Sequence, residues 1–109
     1  MKTGDTLYMV RNRVEPERGW PFVDWLDRKH IPEVVALAGV EWGHRIALDQ
    51  QDERGREVHL LIYKFESRGA LDAYLESDAR KGFWDELKAF DAIHEGERSY
   101  GEIAFSAPA

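Results

Sequence analysis

The chain contains no cysteine, which excludes disulfides, thiolate metal centres and a cysteine nucleophile together. It has no surplus of positive charge either: 15 Lys and Arg stand against 21 Asp and Glu, a formal net charge of −6. That balance repels the phosphates of nucleic acid and anionic membrane surfaces, so neither nucleic acid nor a membrane is expected as a partner. Long apolar runs are missing. No stretch approaches the ~18 residues of a membrane span, and the opening MKTGDTLYMV lacks the apolar segment of a signal peptide, so a cytoplasmic location is expected. The histidines, His30, His44, His59 and His94, show no short spacing of the H-x-x-x-H kind, and no metal is assigned. What remains is the composition of a folding chain: 43% hydrophobic and 33% charged over 109 residues, enough for a single domain (1–109) with one modest core.

Thr6 to Val14, TLYMVRNRV, is rich in β-branched and aromatic residues and stops at Glu15-Pro16, which predicts a strand. From Pro21, the stretch PFVDWLDRKHIPEVVALAG spaces Phe22, Trp25, Leu26 and Lys29 helically. Pro32 should kink or split that helix after Ile31, and Gly39 should end it in the left-handed conformation. Val40 to Leu48 alternates Val40, Trp42, His44, Ile46 and Leu48 against Glu41, Gly43, Arg45 and Ala47, a second strand. The polar DQQDERGRE joins it to a third strand, Val58 to Phe65. Tyr74 to Phe90, YLESDARKGFWDELKAF, reads as a broken helix. Leu71, Tyr74 and Leu75 share one stripe, while Phe83, Leu87, Phe90 and His94 share another, displaced by roughly 110° at the ~100° turn of an α-helix. Ser77-Asp78 supplies the cap for a restart, and Trp84 is left off the second stripe. Glu97 to Phe105 gives the last strand. The order β-α-β-β-α-β is that of a ferredoxin-like α+β domain, with helices on one face of a four-stranded antiparallel sheet.

Two of the strands are apolar on both faces. Val58, Leu60 and Ile62 oppose Leu61, Tyr63 and Phe65 in the third strand; Leu7 and Met9 oppose Tyr8, Val10 and Val14 in the first. Helices cover only one side, so a second copy of the same sheet is the economical cover for the other, and a homodimer is expected.

With the elements placed, FESRGALDAYLESDARKGFW resembles the third-strand-to-second-helix segment of the dimeric α/β-barrel superfamily. HIPEVVALAGVEWGHR resembles the first-helix exit of its EthD-like members, and YLESDARK is similar to the corresponding run in methylmuconolactone isomerase. The resemblance implies two sheets closing a barrel across a dimer, with a ligand cavity in each subunit between sheet and helices. Antibiotic-biosynthesis and haem-degrading monooxygenases of that superfamily carry an Asn late in the first strand, a position that Asn12 matches. Aligned through Ser77-Asp78, Tyr74 falls where the haem-degrading members have a Trp, and Trp84 where they have the iron-ligating His. Haem is therefore not expected, nor any other cofactor.

His30 either hydrogen-bonds at the helix kink or moves a proton, since imidazole titrates near neutrality. His44 alternates with Trp42 and Ile46 and should point into packed surroundings, as the other candidate for proton transfer. His59 reads as plain surface and His94 as structural. Tyr8, Asn12 and Tyr63 are the few placed polar groups expected among apolar neighbours in a small-molecule pocket, with Tyr74 beside them. Trp84 faces either the mouth of that pocket or the partner subunit. Glu76, Asp78, Arg80, Lys81, Asp85, Glu86 and Lys88 read as a solvated helix face. The expectation is a cofactor-independent enzyme, an isomerase, cyclase or lyase, handling an aromatic, lactone or polyketide-like small organic ligand by acid–base chemistry. A non-catalytic ligand-binding or stress-response dimer and a cofactor-free monooxygenase are the alternatives.

Overall fold

The pairing of the strands decides which side chains share a surface. In the computed structural model, which describes residues 1–108, β1 (Thr6–Val14) lies between β3 (Glu57–Phe65) and β4 (His94–Glu102), antiparallel to both. β2 (Val40–Gln51) pairs with the far side of β3, so the sheet order is β2-β3-β1-β4. Tyr8 sits opposite Tyr63 and Tyr100, Val10 opposite Leu61 and Arg98, and Asn12 opposite His59 and Gly96. Because side chains alternate along a strand, these residues form one face. The helices cover that face, as the ferredoxin-like α+β order requires.

The first helical segment comprises α1 (Trp20–Trp25), a π-helical turn (Leu26–His30) and α2 (Ile31–Val35). The split falls at His30 rather than after Ile31. Pro32 supplies no amide, and its ring would crowd the carbonyl one α-turn back; the wider turn relieves this, with the Ile31 N–H donating to Leu26 O. Gly39 adopts φ +87° at the bend into β2, the left-handed conformation expected of it. The second helical segment breaks where the stripes jump. α3 (Arg68–Leu75) ends, Ser77 caps, and α4 (Asp78–Leu87) begins. Phe22, Leu26, Val34 and Leu71 from the helical segments are fully buried against Leu61, Tyr63 and Phe65. Each such side chain contributes about 1.5–3 kcal/mol on burial.

Several element boundaries differ from the sequence reading. β2 continues to Gln51 and β3 starts at Glu57, so the loop shortens to Asp52–Arg56. There the Asp52 carboxylate accepts from the Arg54 and Arg56 amides and Gly55 takes φ +77°. β4 begins at His94, three residues before Glu97, and ends at Glu102. α4 stops at Leu87 and tightens into a 3₁₀ turn over Lys88–Phe90, which leaves Phe90 half-buried. His94 therefore faces inward from a strand rather than a helix, stacked on Phe22 at 4.1 Å. Ile103 leaves the sheet to pair with Gly4 and Asp5, and Phe105 is exposed. Among the described residues no helix is long and apolar enough to cross a membrane.

Candidate functional site

The π turn brings His30 to the sheet. Its ring is buried, stacked on Trp25 at 4.6 Å and edge-on to Phe83 at 4.9 Å. From β1, Tyr8 and Asn12 face the same space; Asn12 is only 2% exposed. Tyr74, at the end of α3, meets Tyr8 edge-on at 5.8 Å. The Ser77 hydroxyl accepts from the Arg80 amide and so fixes the first turn of α4, which aims the Arg80 side chain back over the Leu75 carbonyl (3.3 Å). Arg98 comes from β4. Its guanidinium lies 4.1 Å from the centre of the Trp84 ring, and that of Arg80 lies 5.6 Å from it.

These side chains enclose a cavity of about 30 Å³, room for no more than about two waters. Outside it runs an open groove of about 420 Å³, bordered by Asp91, His94 and Glu95. Trp84, Leu87 and Arg98 belong to both spaces and form the wall between them. Gly96 stands opposite Asn12 on the same sheet face. A Cβ at Gly96 would lie 2.9 Å from Arg98 Nη1 and 3.1 Å from Asn12 Oδ1, so the glycine leaves the space that these two polar groups occupy.

The polar atoms of the cavity are incompletely paired. Among the described residues Asn12 Nδ2, His30 Nδ1 and Arg80 Nε are buried with no hydrogen-bond partner. Buried polar groups are almost always satisfied, so three orphans around one space mark it as built for something else. Burial pushes His30 down to about 4, opposed by Glu86 and assisted by Arg98, and the imidazole is neutral at pH 7. Burial also raises the Tyr74 hydroxyl, reinforced by Tyr8, while Arg80 and Arg98 pull the other way. Glu86 is held low by its bond to Lys29 and also accepts from Trp25 Nε1 at 3.2 Å. It thereby clamps α4 to α1 behind the cavity.

Of the residues singled out from sequence, Tyr8, Asn12, His30, Tyr74 and Trp84 line the cavity together. Tyr63 lies beneath it, 1% exposed with its hydroxyl unpartnered and raised by burial. His44 is elsewhere. It is exposed on the opposite face of the sheet, opposite Ile62, with its ring 4.8 Å from Trp42. This reverses the expectation from the alternation in β2, in which His44 points into packed surroundings. A Cβ at Gly43 would lie 2.6 Å from the Tyr63 ring, so the glycine row must face the core and the Trp42 row the outside. His59 is not surface: it is 6% exposed, between Arg45 (3.1 Å) and Glu57 (3.2 Å). Arg80 does not belong to a solvated face, and Arg98, inside the strand expected from Glu97, carries no local signal that sets it apart from a surface arginine. Among the described residues no cluster of His, Asp and Glu is arranged to hold a metal ion.

The profile of a family described as a domain of unknown function, DUF4286, matches residues 5–92. The chain belongs to that family. The matched span runs from β1 through α4 and includes every cavity residue named above except Arg98. No curated protein matches the chain.

Proposed function

We propose that this DUF4286 domain is a cytoplasmic, cofactor-independent enzyme acting on a small organic molecule by proton transfer. It works as a homodimer of the dimeric α/β-barrel kind, with the EthD-like proteins as an analogy. The observation that carries this reading is the pair of buried, unpartnered nitrogens, Asn12 Nδ2 and His30 Nδ1, facing one cavity. A neutral imidazole starts the reaction as a base, and a positioned base contributes about 10²–10⁴-fold. Asn12 and Tyr8 orient the oxygen toward which charge develops. The cavity admits a substrate when the Trp84–Arg98 wall moves and joins it to the outer groove.

Native mass spectrometry of the purified protein should identify a co-purifying molecule. Incubated in D₂O with fresh protein, that molecule should take up deuterium at one carbon or isomerise, and the His30→Gln variant should bind it without exchange. Exchange at an unchanged rate in the variant would remove His30 from the chemistry. The position of Asn12 in the cavity also favours a second reading, a cofactor-free monooxygenase, which the same incubation separates by its consumption of dioxygen. Binding with neither exchange nor oxygen uptake would leave a ligand-binding dimer.

A further inference from the structure

The cavity has donors and cations but lacks anions. The chain carries six more acidic than basic side chains, and most of its cationic groups that are shielded from water meet a carboxylate, as Arg45 meets Asp27 and Arg56 meets Asp52. Among the described residues Arg80 and Arg98, both partly buried, make no ion pair. Arg80 has one carbonyl contact and an orphaned Nε. Both guanidinium groups are gathered on the single ring of Trp84, whose face attracts cations but supplies no counter-charge. A shielded cation without a counter-charge is costly, and two of them at one cavity leave room for a bound anion to supply what the fold withholds. Asn12, 2% exposed, adds its unpartnered Nδ2 as a neutral donor at the same space.

We propose that Arg80 and Arg98 bind the carboxylate of a planar, aryl-type organic acid whose ring lies against Trp84 and Phe83. The proposal deepens the function above and rests on the cavity being a small-molecule site. A guanidinium presents parallel N–H donors that match a carboxylate, and Arg80 Nε is such a donor with nothing to bond. The remaining wall, formed by Phe22, Leu61, Phe83 and Leu87, is apolar and, once the Trp84–Arg98 wall has moved to join the cavity to the outer groove, suits a hydrocarbon ring rather than a bare inorganic ion. Gly96 keeps the space beside Arg98 and Asn12 open.

The test uses benzoate as probe, with benzamide as its neutral counterpart of the same shape and inorganic phosphate as an anion without a ring. In calorimetric titrations of the purified protein at low salt, benzoate should bind one per chain, and benzamide and phosphate each at least about tenfold more weakly, the worth of one charge-assisted contact. Arg80→Gln and Arg98→Gln should each weaken benzoate by about tenfold or more. Neither should lower the urea midpoint of the unliganded protein, because each removes an uncompensated cation; a merely structural arginine would lower it. Gly96→Ala approaches from the other side, placing a methyl group in the space and weakening benzoate with both arginines intact. Equal binding of benzoate and benzamide, tighter binding of phosphate, no benzoate binding at tens of millimolar, or a loss of stability in the arginine variants would each overturn the proposal. Failure of proton exchange with arginine-dependent benzoate binding intact removes the enzymatic reading and leaves this one. A neutral native ligand that exchanges its proton does the reverse.

Discussion

His30 illustrates how burial sets the behaviour of a single residue. It is packed between Trp25 and Phe83, and the charged groups that face it are Lys29 and Glu33 on its own helical segment, Glu86 on α4 and Arg98 on β4. Its folded pKa of about 4 lies below its ordinary value of 6.5. Above pH 6.5 both folded and unfolded chains carry it neutral and nothing is lost. As the pH falls below 6.5 the unfolded chain takes up a proton that the folded one refuses until about pH 4, so stability drops through that window. At pH 5 the loss from this residue is about 2 kcal/mol. Urea unfolding at pH 7 and pH 5 should show wild type losing about that much more than His30→Gln; His94, also lowered by burial, is present in both proteins and cancels. Equal losses would mean that His30 titrates normally. Trp84 gives a second prediction at this scale. It is 42% exposed whereas Phe22 is fully buried, so Phe22→Ala should cost about 3–5 kcal/mol and Trp84→Ala well under half of that. Comparable losses would place Trp84 in the core.

At the scale of elements, the break between α3 and α4 was legible because its signals are local. A cap-forming Ser-Asp pair and a jump in the apolar stripe sit within a few residues of each other, and the structure places the cap at Ser77. That hydroxyl accepts from the Arg80 amide at 3.2 Å and donates to the Tyr74 carbonyl at 2.7 Å, closing one helix and opening the next. Ser77→Ala should cost about 1 kcal/mol, and Ser77→Asp, which keeps the acceptor, should recover most of it in thermal melts. A neutral Ser77→Ala would show that packing alone holds the break. The inward face of β2 was illegible for the opposite reason. Trp42, His44 and Ile46 form the more apolar row, yet Gly43 decides the orientation, through a close approach to Tyr63 on another strand that local pattern does not contain. The start of β4 is illegible for a similar reason. His94 continued the helical stripe by spacing, but its inward direction is set by pairing with Val14 across the sheet. Of the cavity's polar side chains, Tyr8, Asn12, His30 and Tyr74 are legible in the sequence, whereas Arg80 reads as part of a solvated helix face and Arg98 as a plain strand residue, because the approach of both to Trp84 is made only by the tertiary fold.

For the molecule as a whole, the proposed homodimer rests on the uncovered face of the sheet. Leu7 and Met9 of β1, Leu60 and Ile62 of β3, and Trp42 of β2 are half-buried there, and Ile46 is 42% exposed. All of them lie on the side opposite the helices. A row of apolar side chains across three adjacent strands is a continuous patch rather than scattered exposure, and such patches mark interfaces. The self-complementary solution is a two-fold pairing of two sheets, face to face. Light scattering at micromolar concentration should give about twice the mass of one chain. Ile62 lies at the centre of the patch, opposite Met9 on one side and His44 on the other, so Ile62→Asp would place a desolvated charge in the interface. That variant should be a monomer with the circular dichroism of wild type, because a half-buried outward residue contributes little to the core beneath. The choice of position also separates the two ways in which this sheet can dimerise. Pairing through an exposed edge, β2 or β4, would extend the sheet without touching its face, and Ile62→Asp would then remain dimeric. A dimer that survives the substitution therefore refutes the face-to-face barrel, and a wild-type monomer refutes both arrangements.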